Sequence, residues 1–289
     1  MCVIYFGFGV GNYNIVAAAN RDEYLDRPAT RAHPWCEIGH PGILAGTDLG
    51  TVRVRDPLQP SRTAAQTATA GGDSTTPTPA TATTEAESPL RIHGAGHGTW
   101  MGLNTATGTV AFLTNFREEP RLMDPRALSR GVLVRDALML GGDTDADADA
   151  GGDGASPLER YVRRVHGEKH LYNGFNLVVG RIDSTSHLND QQPLDAWYVG
   201  NRGPARPDPP RRLRRGVVYG LSNGVLVDGV SDWPKVEVGK GLVGDAIKEV
   251  WEKFPLFMFL ISSFLCQRHD SDILYSPRFY FYSPQHRTN

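Results

Sequence analysis

The sequence predicts an α+β fold in which antiparallel sheets carry helices on their outer faces. Three observations lead there. Apolar runs rich in Val, Ile, Tyr and Phe outnumber helical patterns, most of them come in pairs joined by short turns, and the helical patterns are few and scattered.

Residues 2–8 and 14–19 form the first pair of strands, joined by the turn GVGNYN. GFGVG (Gly7 to Gly11) superficially matches a dinucleotide loop, but residue 12 is Asn and a strand follows, so a hairpin turn fits better. The second hairpin is WMGLN (100–104), the turn TATG, and TVAFLTNF (109–116). Further strands are GFNLVVGRI (174–182), AWYVG (196–200) and VVYGLSN (217–223). Helices are predicted from Arg126 to Leu140 after an Asp-Pro start, from Pro157 to Val165 capped by Ser156, and from Lys240 to Lys253 after a glycine.

Two stretches interrupt the pattern. Pro57 to Gly98 is rich in Thr, Ala, Pro and Gly with almost no large apolar residues, so it reads as a disordered insertion. GGDTDADADAGGDGASP (141–157) lacks EF-hand spacing and reads as a solvated acidic loop. What remains fits one domain over 1–253, followed by a divergent tail, 254–289. The apolar run Phe254 to Cys266 is shorter than the roughly 20 residues that span a bilayer. Its length favours a buried helix or an irregular tail, with no membrane span.

Thirty basic residues against 32 acidic ones give a formal charge of −2, which offers no global attraction to nucleic acid or anionic membrane. Small molecules or proteins are the expected partners. Cys2, Cys36 and Cys266 are odd in number and form no CxxC pair, so neither a disulfide framework nor a zinc module is indicated and a reducing compartment fits. The N-terminus has no secretory signal pattern, which keeps Cys2 near the start of the mature chain.

Cys2 is where chemistry is expected. Removal of Met1 would give one residue a nucleophilic thiol and an α-amine whose pKa, near 8, suits a general base. The alternative is a small residue beginning an edge strand. The first hairpin brings Asn20-Arg21-Asp22-Glu23 towards Cys2. Arg21 could favour the thiolate and orient a carboxylate, Asp22 or Glu23 could hydrogen-bond the α-amine, and Asn20 could donate to an oxyanion. The structural alternative is a salt-bridged strand end closing onto Arg27 or a neighbouring turn. Asn115 and Asn223 also end apolar strands, and their amides could serve a developing oxyanion. The remaining signals are weaker. RRLRR (211–215) reads as part of a solvated loop, and His166 with His170 as a surface pair rather than a metal or haem site.

MCVIYF, AAANRDEYLDRP, GILAGTDLG, GTWMGLN, VAFLTNFRE, SRGVLV, HLYNGFNLVVG, WYVGNRG and VYGLSN occur in this order. By these motifs the chain resembles the NRDE family from Met1 to about Lys253. That resemblance implies a cytoplasmic protein, associated with Golgi or mitochondria, linked to Golgi organization, secretion, lipid metabolism and haem trafficking. Its implied partners are a small hydrophobic or acyl metabolite and secretory-pathway proteins; haem is the one cofactor implied. A more distant resemblance is to N-terminal nucleophile (Ntn) hydrolases of the choloylglycine hydrolase type. It implies a four-layer αββα sandwich of antiparallel sheets and an amidohydrolase or acyltransferase site, with Cys2, Asn115 and Asn223 matching by type and order. Two departures stand out. Aligned on Tyr24, arginine and asparagine are exchanged and Glu23 replaces aspartate. Beyond Trp251-Glu252-Lys253 the family's Gly-Thr-Arg segment and apolar strand are missing, which leaves the sandwich incomplete and a sheet edge uncovered.

Overall fold

The computed structural model describes residues 2–11, 13–21, 23, 27–50, 98–141, 154–182, 194–202, 209–231 and 233–253, with strand segments at 258–265, 268–269, 272–273 and 280–282. Most of the insertion 57–98, most of the acidic loop 141–157, Asp22 and Cys266 lie outside the described residues.

Two sheets are built on hairpins. The first hairpin is β1 (Val3–Val10) and β2 (Tyr13–Arg21), with Val10 opposite Tyr13. The turn is thus tighter than predicted, and Gly11 takes a left-handed φ of 57° that glycine adopts without strain. β3 (His33–Trp35), β4 (His40–Ala45), β5 (Met101–Asn104) and β6 (Thr109–Asn115) follow. After α1 (Gly131–Leu138) and α2 (Pro157–Gly167) come β7 (Phe175–Arg181), β8 (Ala196–Gly200), β9 (Arg211–Arg212), β10 (Tyr219–Leu221) and α3 (Pro234–Lys253). β11 (Met258–Leu265), β12 (Arg268–His269), β13 (Asp272–Ile273) and β14 (Tyr280–Tyr282) complete the order. The strand orders are β10-β1-β2-β11-β14 and β3-β4-β5-β6-β7-β8-β9, with β12-β13 a separate pair. The expected α+β class is present. Pairing is antiparallel in both sheets except that β11 runs parallel to β2.

Side-chain alternation divides the core. Phe6, Phe8 and Ile15 of the first sheet meet Val110, Phe112 and Val178 of the second, with the Phe6 and Phe112 rings 5.9 Å apart. Ala111, Leu113, Leu177 and Val179 point the other way, onto Val134 and Leu138 of α1 and Leu158 and Val162 of α2. Both faces of β6 are therefore covered, which is why every residue but its last is buried. α3 covers the outer face of the first sheet, where Tyr5 donates its hydroxyl to the Lys235 carbonyl at 2.6 Å.

Several boundaries differ from expectation. α1 begins at Gly131 rather than Arg126, because the Asp124 carboxylate accepts from the Arg126 N–H at 2.8 Å and holds that stretch in a turn. α2 starts as predicted: Ser156 Oγ accepts from the Glu159 N–H at 3.0 Å. α3 begins at Pro234, six residues before Lys240, with Glu237 Oε1 accepting from the Ser231 N–H at 2.7 Å across its first turn. The apolar run after Lys253 is neither helix nor irregular tail over Met258–Leu265 but β11, paired with Ala18, Asn20 and Arg21 of β2. The open edge of β2 offers unpaired N–H and C=O groups, and a strand satisfies them. The uncovered edge expected there is thus occupied. RRLRR is partly strand: Arg211 and Arg212 form β9, with Arg212 lying 4.6 Å above the Trp197 ring and Arg211 paired with Asp228 at 2.9 Å.

Candidate functional site

Register alone brings the predicted residues to one end of the first sheet. β1 pairs with β2 so that Val3 faces Asn20, which places Cys2 beside Arg21. β10 joins the other side of β1 with Leu221 opposite Ile4, so Ser222 and Asn223 emerge next to Cys2. Ser222 Oγ donates to the Cys2 carbonyl at 2.7 Å.

The second sheet is laced to the same point. Thr114 Oγ1 donates to the Ser222 carbonyl at 2.6 Å, and Asn223 Nδ2 donates to the Asn115 carbonyl at 2.6 Å. Arg117 N–H donates to the Asn223 carbonyl at 2.7 Å. Beneath lies the fully buried Asn176, whose Nδ2 donates to Gly224 O at 2.8 Å and whose Oδ1 accepts from the Tyr198 hydroxyl at 2.7 Å. Cys2, Asn115 and Asn223 therefore share one site. Their roles are not equal, since one of the two Asn223 amide protons is already given to Asn115, leaving one for a ligand.

The tetrad divides. Asn20 and Arg21 end β2, and the buried Asn20 Oδ1 and Arg21 Nη2 have no hydrogen-bond partner among the described residues. The Arg21 guanidinium lies over the Trp100 ring, 3.9 Å from its centre. Burial lowers the Arg21 pKa, while Glu23, Asp48 and Cys2 act in the opposite direction. Arg21 remains a cation near the Cys2 thiol. Contrary to expectation, it orients no carboxylate among the described residues. Glu23 instead faces Arg27 at 3.4 Å, which is the salt-bridged strand end that was the alternative. Arg27 also binds Asp48 at 2.6 Å, and that hydrogen bond raises the Arg27 pKa. Asp22 lies outside the described residues.

Ser222, Asp48, Trp100 and Arg130 belong to the site; in sequence each lies inside one of the quoted motifs, but nothing there gave it a role. Asp48 is set by a bridge in which its N–H donates to Gly98 O at 2.8 Å. Arg130, at the start of α1, donates from Nη1 to Gly174 O at 2.9 Å. Burial lowers its pKa, opposed first by Glu118.

A cavity of about 320 Å³ lies elsewhere, between the hairpin turn and α3, lined by Val10, Gly11, Tyr13, Val218, Gly244, Ile247 and Lys248. At the far end of β1, it is roughly 25 Å from Cys2 by strand rise. Its lining does not fit a haem. It contains no His, Cys or Met, and burial pushes the Tyr13 hydroxyl away from the phenolate that iron would require. His166, the other candidate, faces Lys169 Nζ at 3.4 Å and is lowered in pKa by burial and by that cation. Among the described residues no group of three or more His, Cys, Asp or Glu is arranged to hold a metal ion, and no helix is long and apolar enough to cross a membrane.

Residues 1–55 and 77–272 match the family model described as Transport and Golgi organisation 2. The chain is 31% identical over 253 residues to the Transport and Golgi organization protein 2 homolog of Homo sapiens and 30% identical over 253 residues to that of Bos taurus. Each of these alignments covers 86% of this chain and 65% of the relative, so the chain spans just under two thirds of the length of these curated relatives. Transport and Golgi organization protein 2 of Drosophila melanogaster is 25% identical over 246 residues, covering 83% of this chain and 62% of the relative. The hairpin that presents Cys2 and the strand ends of Asn115 and Asn223 all lie within the matched residues, and the chain belongs to the Transport and Golgi organisation 2 family.

Proposed function

We propose that this chain is an N-terminal cysteine amidohydrolase or acyltransferase acting on amide or thioester bonds of a small hydrophobic or acyl metabolite. The observation that carries the reading is the lacing of Cys2, Ser222, Asn223 and Asn115 by two short hydrogen bonds. Once Met1 is removed, the Cys2 α-amine takes the thiol proton. The sulfur then bonds to the substrate carbonyl carbon, and its oxygen becomes an oxyanion for the free amide proton of Asn223 and the amide of Asn115. The carbonyl re-forms as the C–N or C–S bond breaks, and the ammonium returns the proton to the leaving group. Water or a second nucleophile then releases the acyl group from sulfur. The reading includes the fold: layering of α3, two sheets, and α1 with α2 supports an αββα sandwich of the Ntn-hydrolase type, in one domain over 1–253.

The cellular role proposed is Golgi organization and secretion, taken from the names of the relatives, in a cytoplasmic protein associated with Golgi or mitochondria. Cys2 and Cys36, the described cysteines, form no disulfide, which suits such a compartment.

Intact mass spectrometry after exposure to acyl-amide and acyl-thioester panels tests the chemistry. Wild type should gain an acyl mass that Cys2→Ser loses; a retained Met1, or no Cys2-dependent adduct, would sink it. A second reading, a carrier without catalysis, is favoured by the apolar cavity beside α3. It requires saturable binding of an acyl ligand that survives Cys2→Ser.

A further inference from the structure

Two guanidinium groups of the Cys2 site lack a carboxylate partner among the described residues. Arg27 is closed onto Asp48 and Glu23, and Arg202 onto Glu118 at 2.7 Å. Arg21 instead rests on Trp100, with Nη2 buried and unbonded. Arg130 donates only to the neutral carbonyl of Gly174.

Packing holds Arg130 at the site. A Cβ on Gly131 would lie 3.1 Å from the Gly98 Cα, a tight contact that a larger residue would make only by displacing the Gly98 backbone, and the Thr99 N–H donates to Gly131 O at 3.1 Å. Gly98 in turn holds Asp48, the partner of Arg27, while Trp100, two residues on, carries Arg21. The segment 98–100 thereby joins Arg130 to the tetrad. Arg21 and Arg130 are both half-buried, and that burial lowers their pKa values. A partly desolvated cation with no carboxylate in hydrogen-bond contact is costly, and an arriving oxyanion relieves that cost through charge-assisted hydrogen bonds.

We propose that this site takes substrates bearing a carboxylate or phosphate group, and that Arg130 is the residue that binds it, with Arg21 contributing from the Cys2 side. The inference rests on the cysteine-nucleophile reading for the reaction, although not for the binding. Arg130 is on this view a specificity-determining residue rather than a catalytic one. Its planar fork suits a two-oxygen acceptor.

Titration calorimetry on the full chain tests this with succinate and inorganic phosphate as probes and succinamide as the uncharged control. At least one anion binds saturably, succinamide does not, and the tighter of the two anions identifies the group. Arg130→Gln weakens binding by about tenfold or more, whereas Arg121→Gln, an exposed surface arginine, leaves it unchanged. Arg130→Lys keeps the charge without the fork and decides the matter if the glutamine variant does not fold: a loss of at least about threefold supports the proposal, and wild-type affinity overturns it. Absence of anion binding to wild type, or equal binding of succinamide, also overturns it. Acylation of the wild type separates the two ideas. Anion binding by a wild type that shows no Cys2-dependent acylation removes the nucleophile and leaves the anion site, whereas Cys2 acylation without anion binding removes this inference alone.

Discussion

The Ser222 hydroxyl donates to the carbonyl of Cys2 at 2.7 Å, joining residues 220 positions apart. The bond fixes the first described residue of β1's lead-in to the strand end that also carries Asn223, so the proposed nucleophile and the proposed oxyanion donor are positioned as a pair. Ser222→Ala should cost about 1 kcal/mol in urea unfolding and slow Cys2 acylation, and Ser222→Thr should restore part of both. Unchanged acylation in the alanine variant would show that the bond does not position Cys2.

Arg21 sits beside Cys2 with its guanidinium on the face of Trp100. Arg21→Met keeps a long stem over the indole and removes the charge, so alkylation of Cys2 by iodoacetate, an anion, should slow about tenfold at neutral pH, and its alkylation by neutral iodoacetamide should slow less. Trp100→Leu should slow the iodoacetate reaction about two- to fivefold by loosening the guanidinium. Exposed Cys36 supplies the internal reference in peptide mapping, and parallel slowing at both cysteines would count against the assignment.

Asn176 is fully buried and matches three groups: Thr114 Oγ1, Gly224 O and the Tyr198 hydroxyl. Asn176→Leu leaves these polar groups in an apolar interior, and equilibrium unfolding should show a loss of about 2–3 kcal/mol. A loss below about 0.5 kcal/mol would mean that water enters and satisfies them.

Alkaline pH should destabilise the fold through Tyr172. Burial, with a smaller contribution from Asp136, pushes its pKa up to about 12, against about 10 in an unfolded chain. The native state therefore holds a proton that the unfolded state releases between these values. The contribution, about 2–3 kcal/mol, is complete below about pH 10 and is lost as pH rises towards 12. Tyr172→Phe should flatten the fall in melting temperature over that interval, and an unchanged alkaline slope would exclude Tyr172 as its source.

Much of this architecture is legible locally. The hairpins around Gly11 and TATG, the strands at 175–181 and 196–200, and the Ser156 cap need only neighbours in sequence. β3 and β4 were not, because HPW and HPGILA are short and carry proline and glycine where strands usually do not. The Met258–Leu265 run is apolar without alternation, and only the vacant edge of β2 decides that it is a strand. The site divides similarly. Cys2, Asn20, Arg21, Asn115 and Asn223 announce themselves as polar ends of apolar strands, whereas Ser222, Trp100, Asp48 and Arg130 acquire meaning only from distant partners. Glu23 had the right charge and still turned to Arg27, since geometry, not charge type, selects a partner.

The hydrogen bond from the Asp48 N–H to Gly98 O closes the base of the segment between β4 and β5 within 2.8 Å. A chain that leaves and re-enters a structure at one clasp can change length almost freely, because each doubling adds only about 0.6 kcal/mol of closure entropy. The clasp therefore makes this position a natural port for cargo. A reporter domain or affinity tag spliced between residues 57 and 98 should leave Cys2 reactivity intact, giving a labelled protein with both chain ends untouched.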